Sequence, residues 1–224
     1  YADRLEKAED FETALHAMIK KTIQDHKRII FNGNGYDDAW IKEATEKRGL
    51  LNYRTTADCM PHLLDKKNVD MLTSLGVFSV DELRSRRDIM LENYCKSVVI
   101  EANTMVDIAW TIISPAIEAY AADLARAASA KKAVSPALTC GYETGLVEKL
   151  SRLLDEIGEK AGEMDTALVK LQGAEDIVAE AVMIRDTILP VMSELRSPCD
   201  KAELMVAKSY WPFPTYGDLL FGVK

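Results

Sequence analysis

Histidine is scarce in this chain of 224 residues, which holds only His16, His26 and His62. Its four cysteines, Cys59, Cys95, Cys140 and Cys199, form no CxxC pair, so a structural zinc site is not expected. The cysteines read instead as reduced thiols, which places the protein in the cytoplasm. Basic charge is also in deficit: 28 Lys and Arg stand against 36 Asp and Glu, for a formal net charge of -8. That sign, without a basic stripe interleaved with aromatics, argues against a nucleic-acid partner. No apolar run approaches a membrane span and no signal peptide opens the chain, so no membrane partner is expected. Catalytic signatures are missing as well. There is no HExxH, no GxSxG, no EF-hand loop and no Rossmann glycine triad following a strand. Glu12 and His16 are the nearest approach to the paired Glu-x-x-His of a metal-binding bundle, and they stand alone at a four-residue step. On these grounds the residues nominate no catalytic, cofactor-binding or metal site.

What the chain does have is helical periodicity. Between Gly141 and Lys208 apolar residues recur in two heptad runs. The first is Leu146, Leu150, Leu153, Ile157, Lys160, Met164, Ala167 and Leu171. The second is Ile177, Ala181, Ile184, Ile188, Val191, Leu195, Pro198, Ala202 and Met205. Steps of four and three keep one side of a helix facing a partner, and the short Gln172–Ala174 gap predicts an antiparallel hairpin. Lys160 and Pro198 interrupt the seam; a lysine there can snorkel and set register. Pro190 and Pro198 predict bends in the second arm.

Earlier in the chain, residues 3 to 28 read as one amphipathic helix. The turn Asn32-Gly-Asn-Gly-Tyr36 follows, where Gly33 and Gly35 permit positive φ. It lacks the lysine and hydroxyl of a phosphate-binding loop and reads as a turn between helices. Short helices follow: one after Asp37 or Asp38 that stops at Gly49, one after Thr55 or Thr56, and one from Lys66 closed by Gly76. Ser79 with Glu82 is a capping box that starts the longest helix, expected to kink near Pro115 and run toward Ala130. Arg84, Arg86 and Arg87 lie close to Asp81, Glu82, Asp88 and Glu92, so they read as a salt-bridged face. Glu101 is expected on the apolar side, semi-buried and paired. The stretch 127–141 breaks the pattern and reads as a loop. The closing segment 209–224 carries Tyr210, Trp211, Phe213, Tyr216, Leu219, Leu220 and Phe221, with Pro212 and Pro214 holding its beginning extended. So much apolar surface either folds back on the body or docks on a neighbour. The predicted fold is therefore all-α: a short-helix subdomain (1–78), a long-helix, coiled-coil-like antiparallel bundle (79–208) and an aromatic docking tail (209–224).

Four segments then bring a resemblance. Arg28-Ile-Ile-Phe-Asn-Gly-Asn-Gly-Tyr36, Arg54-Thr-Thr-Ala-Asp58, Leu91-Glu-Asn-Tyr-Cys95 and Tyr210-Trp-Pro-Phe-Pro-Thr-Tyr-Gly-Asp-Leu-Leu-Phe221 resemble the C-terminal region of type III glutamine synthetases, the long bacterial form. The resemblance spans essentially the whole chain, with the hairpin and 125–144 as its variable part. It implies a parent enzyme that joins ammonia to glutamate with ATP and Mg²⁺ or Mn²⁺, assembled as stacked rings. None of that family's metal-binding or substrate motifs has a match here. The resemblance therefore implies a piece of a longer protein, inactive alone, whose partners are its own catalytic domain and neighbouring subunits. The start at Tyr1, within a helical pattern and without a methionine, fits that expectation. The alternative is a stand-alone helical scaffold or coiled-coil module that binds a partner protein.

Overall fold

The computed structural model describes residues 1–214 and 216–222. Thr215, Val223, Lys224 and the side chain of Tyr216, all within the predicted tail, lie outside the described residues. Among the described residues every regular element is helical, as the periodicity predicts. The chain divides into two compact units, Tyr1–Arg54 and Thr55–Lys224.

In the first unit the single helix predicted over residues 3–28 is broken in two: α1 (Ala2–Glu6) and α2 (Phe11–Asp25). Asp10 is the cause. Its carboxylate accepts a hydrogen bond from the Glu12 backbone N–H at 3.2 Å and is bonded by the Thr13 hydroxyl, so it caps a new helix. Asp37 caps α3 (Asp38–Lys42) through the Ala39 N–H at 2.9 Å, and a wide π turn, Glu43–Lys47, extends it. Gly49, at φ +62°, ends it where any side chain would be strained.

The second unit opens with α4 (Thr56–Cys59), a 3₁₀ segment (Met60–Leu64) and α5 (Lys66–Ser74), closed by Gly76 at φ +65°. The Ser79–Glu82 capping box forms as predicted: the Ser79 hydroxyl accepts from the Glu82 N–H at 3.3 Å, and the Glu82 carboxylate accepts from the Ser79 N–H at 2.7 Å. It launches α6 (Val80–Ile108), which passes through a π turn (Ala109–Ile113) into α7 (Ser114–Val134). Helix therefore continues through much of the stretch expected to be a loop, and only 135–140 leave it. After Cys140, α8 (Gly141–Leu171) returns, and α9 (Ile177–Met183), a π turn (Ile184–Ile188) and α10 (Leu189–Glu203) form the second arm of the hairpin.

Pro115 and Pro190 do not end their helices. Each stands two residues after a π turn, and the residue before each proline bonds five back, Ser114 N–H to Ala109 O and Leu189 N–H to Ile184 O. The wider ring accommodates the missing N–H and the bulk of the pyrrolidine.

Two apolar clusters run along the three long helices. One joins Ile113, Ile117, Ala121 and Leu124 to Leu150, Leu153, Ile157, Leu195 and Ala202. The other joins Leu91, Cys95, Val98 and Ala102 to Met164, Ala167, Leu171, Ala181, Ile184 and Ile188. The seam of α8 is Leu150, Leu153, Ile157, Ala161, Met164, Ala167 and Leu171, so Ala161 takes the place predicted for Lys160. Two successive four-residue steps, 153 to 157 to 161, follow the helix's own 3.6-residue period. Lys160, half-buried at the seam's edge, bonds Glu163 and Glu194, each at 2.9 Å, and so ties the two arms together. Glu101 is a second correction. It is exposed, because Val98, Ala102, Met105 and Ala109 carry the buried line of the helix past it. By length and composition alone, Val80–Val134 is one described helix long and apolar enough to cross a membrane, against the expectation of no such run. In this fold its buried residues pack on α8 and the second arm, while only 22% of its most apolar window is buried.

Candidate functional site

Three arrangements organise the short motifs. In the first unit, Phe31 stacks on Trp40 with ring centroids 3.8 Å apart and 16° between planes. The guanidinium of Arg48 lies 4.9 Å from the Trp40 ring centre. It donates twice to Glu43 Oε1, at 2.9 and 2.6 Å, and once to the Ile30 carbonyl at 2.7 Å. This planar, stacked fork suits arginine and not lysine. The Asn32–Tyr36 turn hangs from that knot. Gly33 is needed for space and not for positive φ: a Cβ there would sit 2.6 Å from the Phe31 ring. Asn34 Oδ1 accepts from the Tyr36 N–H at 3.1 Å, which leaves the Tyr36 side chain 97% exposed.

In the second unit, residues 55–58 and 91–95 meet the π turn of the hairpin's second arm. Thr55 caps α4 by accepting from the Asp58 N–H at 3.1 Å, and its hydroxyl donates to Asp58 Oδ2 at 2.8 Å. Asp58 Oδ1 also accepts from Arg185 Nη1, and Arg185 grips Asp186 at 2.7 and 2.8 Å. The Thr55 hydroxyl, then Arg185, hold the Asp58 carboxyl below its ordinary value of 3.8, while Asp186 and Asp58 hold Arg185 charged. Beside them the Tyr94 hydroxyl is buried without a hydrogen-bond partner among the described residues, and burial pushes its pKa up.

The closing segment divides. Tyr210 and Trp211 pack against the bundle core, with the Tyr210 ring 5.1 Å from Tyr120 and its hydroxyl bonded to Asp123. Lys208 reaches Asp218 at 2.6 Å, at the foot of the short α11 (Tyr216–Leu220). Beyond that point Leu219, Leu220 and Phe221 are exposed, Phe221 by 82%. The folding-back reading holds for Tyr210 and Trp211, and the apolar side chains beyond Asp218 stay in solvent.

The other candidates are ordinary. His16 and His26 lie on the surface of the first unit. Arg84 pairs with Asp81 at 3.4 Å, Arg87 with Asp88 at 2.7 Å, and Arg86 lies over the Phe78 ring at 4.3 Å, so the arginine cluster is a salt-bridged face. Burial pushes the Cys95 and Cys199 thiols up to about 11, too high for a reactive thiolate at neutral pH. Among the described residues no group of three or more His, Cys, Asp or Glu is placed to hold a metal ion. Sequence reading missed Arg48, the Asp58–Arg185 bridge and the pairing of buried Glu143 with Lys131. Only the Thr55-x-x-Asp58 cap spacing hinted at any of them.

These arrangements define a helical domain built from packing and ion pairs, with apolar surface left outside. Residues 14–132 match the family described as the glutamine synthetase C-terminal domain, and the chain belongs to that family. It is 34% identical over 216 residues to the "Glutamine synthetase" of Butyrivibrio fibrisolvens, covering 96% of this chain and 31% of that protein. It is 31% identical to the "Type-3 glutamine synthetase" of Dictyostelium discoideum, covering 94% and 29%. With the "Glutamine synthetase" of Bacteroides fragilis (strain YCH46) identity is 25%, again covering 94% and 29%. The chain thus spans about a third of the length of the curated relatives it matches.

Proposed function

We propose that this chain is the helical C-terminal region of a type III glutamine synthetase and serves its assembly, not its chemistry. The whole protein would ligate ammonia to glutamate with ATP, and the groups binding ATP and Mg²⁺ or Mn²⁺ would lie in the remaining two-thirds. The observation that carries this reading is the family match over 14–132 in a chain that spans 31% and 29% of two synthetase relatives. The exposed Leu219, Leu220 and Phe221 support a docking role for the closing segment against the catalytic part or a neighbouring subunit of a ring. Four free thiols support the cytoplasm as its place.

The test is glutamine formation from glutamate, ammonia and ATP with Mg²⁺, comparing this chain with the gene product extended to its natural start. Activity in the longer protein alone is the expected result. Activity in the chain itself would overturn the assembly reading. A longer protein silent with both metals would overturn the synthetase reading.

A further inference from the structure

The first unit has almost no core. Of Tyr1–Arg54, Ala44 alone is buried, although the segment carries many large apolar side chains. A unit of 54 residues that buries so little does not hold itself together by packing. The clearest deficit lies on α2. Counted at ~100° per residue, Met18, Phe11, Thr22, Leu15, Ile19 and Ile23 occupy one arc of roughly 140°. Tyr1, just before α1, lies against part of that arc, where the Thr22 hydroxyl donates to the Tyr1 hydroxyl at 3.1 Å. No residue of the arc is buried: Phe11 is 56% exposed, Ile19 45% and Ile23 51%, and the edge carrying Ile19 and Ile23 is open. Single exposed apolar residues are ordinary, but an apolar arc along the length of a helix with none of its residues buried is a face of the kind that docks.

We infer that the unburied apolar face of α2, which carries Phe11, Ile19 and Ile23, is the seat for the upstream part of the same polypeptide. The length of the relatives singles out this occupant. The matched region is a third or less of each, and the family is a C-terminal domain, so the outstanding chain precedes it. α2 is the first full-length helix that chain reaches. The inference rests on the reading that the whole protein is a synthetase of the long form, and it adds the surface through which the two parts hold each other.

Amide hydrogen exchange tests it in two proteins, this chain and the gene product extended to its natural start. The expected result is exchange in 11–25 at least tenfold slower in the longer protein, unchanged when that protein is diluted to single subunits. Double substitution Ile19→Glu and Ile23→Glu should restore fast exchange there and leave the melting of this chain unchanged. Three results would overturn the inference. The helix could already be protected in this chain, it could be equally unprotected in both proteins, or its protection could vanish on dissociation, which would make a neighbouring subunit the occupant. A longer protein that makes glutamine while α2 stays unprotected would sink this inference and leave the functional reading standing. A longer protein that makes none would sink the functional reading, and α2 exchange would still be read separately.

Discussion

At the scale of single residues, the chain's polar groups serve packing geometry. The Tyr94 hydroxyl, buried beside Asp58 and Arg185 and without a partner among the described residues, is a liability to stability. Tyr94→Phe removes a desolvated donor at almost constant shape, so unfolding in urea should show the variant unchanged or up to ~1 kcal/mol more stable. A loss of stability would mean that the hydroxyl has a partner. Asp58 makes the opposite case. Its carboxyl is held below 3.8, by the Thr55 hydroxyl first and Arg185 second, so in acid the unfolded chain binds protons that the folded chain refuses. The contribution is complete above the unfolded value of about 3.9 and is lost as pH falls through the lower folded one. Asp58→Asn should therefore lower the melting temperature at pH 7, and the gap from the parent should close as pH drops well below 3.8. A gap constant with pH would refute the bridge.

At the scale of elements, helices start where side chains cap them and continue where the core rewards it. Ser79→Ala removes the side-chain half of the box that opens α6 and should cost about 1 kcal/mol by thermal or urea unfolding. Ile157, fully buried in the middle of the α8 seam, should cost about 2–5 kcal/mol on truncation to alanine. Equal effects of the two changes would mean the seam is not the core. Element limits were legible wherever a local signal set them: Ser79, Gly49, Gly76 and the Gln172–Ala174 turn. They were misread where a helix could run on. Nothing local to 127–134 forbids helix, and the helix runs on to Val134 with Lys131 bonded to Glu143 of α8. Asp10 was passed over because the apolar period continues unbroken across it.

At the scale of the whole molecule, the question is which apolar surface is core and which is left for a partner. Trp211 packs on the core, and Phe221 is exposed. Trp211→Ala should therefore lower the melting temperature of this chain itself. Leu219→Ala with Phe221→Ala should leave that melting unchanged and reduce the mass of the longer protein's assembly, read by light scattering. If the second pair alters melting and not mass, the end of the segment is part of the fold and not a docking element.

Periodicity by itself determined that the protein is helical, that its last third is a hairpin and which residues line the seam to within one position. Those properties are local, because they depend on spacings of three and four along one chain. The motifs at 28–36, 54–58, 91–95 and 210–221 were enough to suggest the family. Tertiary structure alone decided that Lys160 yields the seam to Ala161 and that Glu101 faces water. It also decided that Arg185 reaches Asp58 across 127 residues of sequence and that the closing segment is half core, half surface. Each depends on the rotation of one helix against another or on a partner far away in the chain. No spacing along a single helix encodes either.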